Sequence, residues 1–162
     1  MASPFTALIA AFNSSNPTTT GAATYIAAIK LHTEFGSFQR LGYWGRLDGT
    51  GPVQIRQNTG NLGALYNGSA NSVTTAQRSG WRLLTMVFNA GTLIFRLDGT
   101  QIGTKAIANT TAVSSQVFSL GATISTDIAS PAEVGGLIVA GTALSGTDLT
   151  NAEAWVKTTA GL

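Results

Sequence analysis

Residues 81–100 read WRLLTMVFNAGTLIFRLDGT, two apolar runs separated by one short turn and followed by another. The first run, Trp81–Phe88, is apolar at nearly every position, which is typical of a central strand that is buried on both faces. In the second run, Thr92–Asp98, large apolar residues alternate along one face, which predicts a half-buried strand. Asp98-Gly99 predicts a tight hairpin turn, because these residue types tolerate the positive φ angles of primed turns.

The same pattern continues in both directions from this stretch. Nineteen glycines separate short apolar runs along the chain, which favours a many-stranded β-sandwich or barrel. Ser69–Ser79, rich in serine, threonine and alanine, is predicted to be a loop. The other predicted strands are Phe5–Phe12, Thr24–Leu31, Phe38–Trp44, Val53–Arg56, Ala64–Tyr66, Gln101–Ile107, Val117–Leu120 and Val134–Ala140.

One helix is predicted near the C terminus. Thr150 and Glu153 have the spacing of a capping box, in which the two side chains bond backbone N–H groups of the first helical turn. Trp155 and Val156 are expected to share the buried face, with Trp155 anchoring the helix. Gly161 is expected to end the helix.

The composition indicates one neutral, polar domain. The chain has 162 residues and no cysteine, so residues 1–162 are predicted to form a single domain without disulfides or thiolate metal sites. Charged residues make up only 10%, against about 25% in ordinary globular chains. The nine basic residues exceed the seven acidic ones by two and are scattered, whereas nucleic-acid binders carry dense basic clusters. We therefore expect no nucleic-acid partner.

Membrane and export signals are also weak. No run is long and apolar enough to span a bilayer as a helix, so no membrane insertion is expected. Pro4–Phe12 is apolar, but no lysine or arginine precedes it, as one would in a signal peptide.

Several of these stretches together resemble a known family. Trp81–Phe88 followed by Gly91–Thr100, then Phe118–Gly121, Glu133–Leu144 and Leu149–Leu162, are similar to the concanavalin A-like, laminin-G-like jelly-roll family, in its phage and bacterial members. The resemblance covers residues 80–162 well and residues 1–79 in outline. It implies an all-β fold, a two-sheet antiparallel jelly-roll sandwich of about six strands a sheet with one short C-terminal helix. It does not imply one function, because such a fold hosts many.

Enzymes of this superfamily hydrolyse glycans with carboxylates that are closely spaced on one strand. Glycoside hydrolysis requires an acid and a base or nucleophile on either side of the bond. None of the seven carboxylates of this chain shares a predicted strand with another. The only histidine, His32, follows a predicted strand and has no nucleophile motif beside it. We therefore predict that the chain is not an enzyme.

Two kinds of ligand site remain. The resemblance implies that calcium can be bound, and Asp127 is the one weak candidate ligand, although Ca²⁺ requires six to eight oxygen atoms and a solvated loop aspartate is the simpler interpretation. No other metal or cofactor is expected. Tyr43, Trp44 and Tyr66 are weak candidates for a glycan site, because aromatic rings stack on sugars. Packing in the core is the alternative for all three.

The resulting hypothesis is a non-catalytic module on the surface of a bacteriophage virion, as a capsid-decoration or tail-associated protein. Such a protein reaches the virion surface or the extracellular medium by assembly and lysis, without a signal peptide. A neutral surface suits self-association or contact with other virion proteins, and cell-surface glycans are a further expected partner. The alternative is a monomeric carbohydrate-binding module excised from a larger secreted enzyme or adhesin.

Overall fold

A computed structural model describes residues 22–32, 39–45, 53–58, 60–66, 72–89, 91–106, 117–120 and 133–162. Ten strands and one helix lie within these ranges. The helix, α1, is Gly146–Ala160. The strands are β1 (Ala22–Leu31), β2 (Gln39–Gly45), β3 (Val53–Asn58), β4 (Asn61–Tyr66), β5 (Ser72–Ala76), β6 (Gly80–Asn89), β7 (Thr92–Leu97), β8 (Thr100–Ala106), β9 (Val117–Leu120) and β10 (Glu133–Ala140).

The strands form two antiparallel sheets of five among the described residues. Sheet A has the order β10-β1-β6-β7-β8, and sheet B has the order β5-β4-β3-β2-β9. Apolar side chains from the facing sides of both sheets form one core, which includes Phe88 and Phe95 from sheet A and Ile55 and Leu62 from sheet B. The prediction of an all-β, two-sheet antiparallel sandwich with one C-terminal helix is confirmed.

The central strands of sheet A are buried on both faces. Residues 83–88 of β6 are buried without interruption. Leu84, Met86 and Phe88 contribute to the core between the sheets, whereas Leu83 and Val87 pack in a second cluster with residues of α1. The helix therefore covers the outer face of sheet A, which explains why this strand has almost no polar positions.

The β7–β8 hairpin follows the predicted pattern. Leu93, Phe95 and Leu97 are buried along one face of β7. Asp98 has a φ of 53° and Gly99 a φ of 85°, so both turn residues adopt the positive angles that a two-residue primed turn requires.

The capping-box prediction is wrong. The helix begins at Gly146 with Ser145 at the N-cap, four residues before Thr150. Thr150 donates its hydroxyl to the Gly146 carbonyl at 3.1 Å, and Glu153 lies inside the helix. Backbone N–H groups at that depth are already bonded within the helix, so they need no cap.

The burial predicted for Trp155 is also wrong, since 55% of this residue is exposed. The buried face of α1 is formed by Leu149, Glu153 and Val156. Consecutive helical residues are about 100° apart, which carries Trp155 away from the sheet. Gly161 ends the helix as predicted, in the left-handed conformation with a φ of 72°.

Two predictions about strands remain. Ser69–Ser79 was predicted as a loop, but it contains β5, which pairs with β4. Only Val73 of this strand is buried, so hydrogen bonding to β4 rather than apolar character defines it. The strand predicted at Phe5–Phe12 lies outside the described residues.

Candidate functional site

The predicted aromatic residues lie in sheet B. Tyr43 and Trp44 belong to β2, and Tyr66 ends β4. β3 runs between these strands, and its Val53 is the register partner of Trp44 on one side and of Tyr66 on the other. The backbone therefore places positions 44 and 66 in one row across the sheet. Position 43 belongs to the next row, and consecutive strand positions alternate between faces, so the three residues do not share one face.

No metal centre is present among the residues that the structure describes. They contain no group of three or more histidine, cysteine, aspartate or glutamate side chains that could hold a metal ion. Asp127 lies outside the described residues, so calcium binding there stays a prediction. No helix in the described ranges is long and apolar enough to cross a bilayer.

A cluster of charged residues that was not predicted lies where the β7–β8 hairpin meets β6 and α1. Asp98 accepts a hydrogen bond from the Leu83 backbone N–H at 3.0 Å through Oδ1, and its own N–H donates to the Leu83 carbonyl at 2.8 Å. Arg82 Nη1 lies 3.6 Å from Asp98 Oδ2. Asp98 is therefore more than a turn residue, since it fixes the hairpin against the start of β6.

Arg96 of β7 forms a bidentate ion pair with Glu153 of α1. The distances are 2.8 Å from Nε to Oε1 and 3.0 Å from Nη2 to Oε2. Arg96 Nη2 also donates to the Gly99 carbonyl at 2.5 Å. The Glu153 side chain is only 6% exposed and that of Arg96 21%. Two parallel charge-assisted bonds of this kind are both strong and specific in geometry.

The sequence carried a signal for this pair. Glu153 is four residues after Leu149 and three before Val156, so its carboxylate is expected on the same face of α1 as these two apolar residues. Buried carboxylates require a cationic or hydrogen-bonding partner. The sequence did not indicate which of the scattered arginines would supply it.

An open pocket lies beside this ion pair, between α1 and the hairpin. Its volume is about 310 Å³. Leu83 and Gly99 contribute the sheet side, Thr150 and Lys157 contribute the helix side, and Arg96 lies between them with Glu153. The lining thus combines apolar surface with cationic donors, an arrangement that suits a small polar ligand.

Comparison with solved structures identifies the architecture. An alginate lyase from polysaccharide lyase family 7 superposes with a TM-score of 0.53 at 18% identity, over 76% of this chain and 61% of the lyase. Mouse laminin α1 chain, domains LG4-5, gives 0.54 at 14% identity over 76% of this chain. The chain has the concanavalin A-like jelly-roll fold.

The same jelly roll recurs in a toxin. Botulinum neurotoxin type C, whose passage into cells is described as dependent upon interaction with two ganglioside molecules, superposes with a TM-score of 0.63 at 11% identity, over 86% of this chain. The chain spans 61% of the lyase and 36% of each of the other two proteins. No protein-family model matches this jelly roll, and no curated protein sequence matches it.

Proposed function

We propose that this jelly roll is a non-catalytic module that binds glycans. The observation that carries the proposal is the shared fold, since the similar structures include a lyase named for alginate and a toxin that depends on gangliosides. A chain with only 10% charged residues also suits a ligand made mainly of hydroxyl groups. Tyr43 is the aromatic candidate for stacking on a sugar ring. Trp44 and Tyr66 share the register row of Val53. Position 53 lies two residues from the core residue Ile55, on the same face of β3.

The four described carboxylates are not arranged as a pair for glycoside hydrolysis. Glu153 is bound to Arg96 and Glu133 to Lys30, with a distance of 2.7 Å for the second pair. Asp98 accepts the Leu83 N–H. Of the four described carboxylates only Asp148, at the start of α1, has no such bond. An acid–base pair for glycoside hydrolysis needs two carboxyl groups on either side of the bond, and these residues do not supply it.

A glycan array probed with the full chain tests the proposal. We expect selective binding to a subset of glycans and no release of reducing ends from any glycan that is bound. Tyr43→Ala is expected to weaken binding by about twofold to tenfold, since one stacked aromatic contributes about 0.5–1.5 kcal/mol beyond its buried area. Trp44→Ala and Tyr66→Ala complete the series and test the alternative that these two residues pack in the core.

Trp155→Ala is the matched control, because it removes an aromatic ring that is already 55% exposed on the helix. Its binding should equal that of the unmodified chain. A chain that binds no glycan on the array, or that cleaves the glycan it binds, contradicts the proposal.

A second candidate is a bacteriophage virion surface protein, capsid-decorating or tail-associated, located on the virion or in the extracellular medium. The observation that favours it is the distribution of exposed apolar residues. Val134, Trp155 and Leu162 are 41%, 55% and 47% exposed. Val134 lies on β10, Trp155 lies on α1, and Leu162 directly follows the residue that caps α1. Assembly with copies of the chain or with other virion proteins would remove this surface from water.

Light scattering of the purified chain separates the two candidates. A trimer or a larger assembly that dissociates in Trp155→Gln favours the virion role. A chain that is monomeric at all concentrations, and whose glycan-binding profile is the same in Trp155→Gln, contradicts the virion role and keeps only the glycan-binding module.

A further inference from the structure

The pocket between α1 and the β7–β8 hairpin has an excess of positive charge. Its lining contains two cations, Arg96 and Lys157, and one carboxylate, Glu153. Both oxygens of that carboxylate accept hydrogen bonds from Arg96. Lys157 forms no ion pair with any residue that the structure describes. The three groups therefore sum to one net positive charge at the mouth of the pocket.

The hydrogen-bonding groups left over in the pocket are mainly donors. Arg96 uses Nε and Nη2 for Glu153 and Gly99, which leaves the two N–H groups of Nη1 without a described partner. The Lys157 ammonium supplies three further donors. Donors of this kind, carried by two cations, match the oxygens of an anion.

The remaining lining residues suit a ring that is part apolar and part hydroxylated. Ala154, an exposed residue of α1, contributes aliphatic surface on the helix side, and the buried Leu83 lies beneath the pocket. Gly99 has a φ of 85°, and a Cβ there would lie 3.8 Å from Glu153 Oε2. Because Gly99 has no side chain, this side of the pocket stays open to a ligand. The Thr150 hydroxyl donates to Gly146 and still accepts hydrogen bonds through its lone pairs.

We infer that this pocket binds the carboxylate of an acidic sugar, such as a uronic or a sialic acid residue of a glycan. Arg96 Nη1 and the Lys157 ammonium bind the carboxylate, Ala154 contacts the ring, and the Thr150 hydroxyl accepts a hydrogen bond from a sugar hydroxyl. The inference rests on the proposed glycan binding for the class of ligand. It uses a different surface, because the pocket lies on the outer face of sheet A whereas Tyr43, Trp44 and Tyr66 lie in sheet B.

Calorimetric titration of the full chain with paired sugars tests the inference. The pairs are a galacturonate trisaccharide with the galactose trisaccharide of the same linkage, and sialyllactose with lactose. We expect at least one acidic sugar to bind about tenfold or more tightly than its neutral partner, since charge-assisted hydrogen bonds contribute about 1.5–3 kcal/mol. The amide resonances of Gly99 and Ala154 should shift on binding.

Lys157→Gln is expected to remove most of this preference without unfolding the chain, because the ammonium has no described partner to lose. Lys105→Gln is the matched control, since it removes the same charge from β8, away from the pocket, and should leave the preference intact. Equal affinity for the acidic and neutral members of both pairs overturns the inference, as does an unchanged preference in Lys157→Gln. Sodium sulfate that binds as tightly as the acidic sugar overturns the assignment to a glycan.

The same titrations separate this inference from the proposed function. Neutral-glycan binding that is lost in Tyr43→Ala, together with equal affinity for the acidic and neutral members of both pairs, keeps the module and overturns the pocket. A preference for acidic sugars that depends on Lys157, together with neutral-glycan binding that is unchanged in Tyr43→Ala, supports the pocket and overturns the aromatic candidate.

Discussion

Two buried threonines of adjacent strands have opposite surroundings. Thr24 of β1 donates its hydroxyl to the Thr142 carbonyl at 2.8 Å and accepts the Leu144 N–H at 2.9 Å. Thr85 of β6 is fully buried, and its hydroxyl has no hydrogen-bond partner among the described residues. Thr24 therefore fastens the segment before α1 to the sheet, whereas the hydroxyl of Thr85 is desolvated without compensation.

Replacement of each threonine by valine, which keeps the shape, measures this difference. Thr24→Val should lower the free energy of unfolding by about 1–3 kcal/mol, because it leaves the Leu144 N–H and the Thr142 carbonyl without their partner. Thr85→Val should be neutral or stabilising, because it removes an unbonded polar group from the interior. Urea unfolding measures both values, and an equal loss in the two variants would contradict this account.

Hydrogen bonds between residues that are far apart in the chain could not be predicted from the sequence. Thr24 and Thr142 are separated by 118 positions, and no local pattern links them. Asp98 was correctly placed in a turn, but its second role depends on Leu83 lying beside it in the folded chain.

At the scale of elements, α1 packs closely on β10. A Cβ added to Gly135 would lie 2.7 Å from the Cβ of Ala160, and one added to Gly136 would lie 3.1 Å from the Val156 carbonyl oxygen. The two consecutive glycines of β10 thus allow the last turns of the helix to approach the edge of sheet A.

Gly135→Ala is expected to cost about 1–3 kcal/mol, because the added methyl group forces the helix away from the strand. Ala160→Gly in the same chain should recover part of that loss, since it removes the atom that the methyl group meets. Unfolding of the two single variants and the double variant gives the coupling energy, and strict additivity would show that the two residues do not meet.

The ion pair between β7 and α1 can be tested at the same scale. Glu153→Ala should destabilise the chain by about 3 kcal/mol, because it leaves the largely buried Arg96 guanidinium without its counter-charge. Asp148→Ala is the control, since this exposed carboxylate acts only on the helix dipole, with an expected cost of about 0.3–1 kcal/mol. Thermal unfolding compares them, and equal costs would assign no special role to the pair.

Elements with a strong apolar pattern were predicted from the sequence, and those defined by their neighbours were not. β6 and β7 matched because their burial follows directly from which residues are apolar. β5 was missed because SVTTA offers one large apolar residue and takes its form from pairing with β4. The start of α1 was placed too late because Ser145 caps the helix without a side-chain hydrogen bond, so no capping motif marks it.

At the scale of the whole molecule, the described strands share one core. Side chains from both sheets belong to the same apolar cluster, so neither sheet can expose its inner face without disrupting the other. We expect residues 1–162 to unfold in one cooperative transition in urea. Tryptophan fluorescence and far-ultraviolet circular dichroism should give coincident curves, whereas separate midpoints would divide the chain into two units.

The order of strands was not deducible from composition or periodicity. The resemblance of residues 80–162 to jelly rolls supplied the two-sheet arrangement, but it implied about six strands a sheet, and five are described in each. The pairing of β1 with both β6 and β10 depends on contacts between distant parts of the chain, which a local pattern does not encode.

The pairing of β1 with β10 joins two strands that are synthesised at different times. β1 leaves the ribosome before its neighbour β10 and the helix that covers its outer face have been made. Closing such a long loop has a high entropic cost and makes folding slow. A nascent chain that stops before residue 133 would leave β1 and β6 with an apolar face uncovered, so we expect this fold to depend on chaperones, or on rapid synthesis of residues 133–162, to escape aggregation.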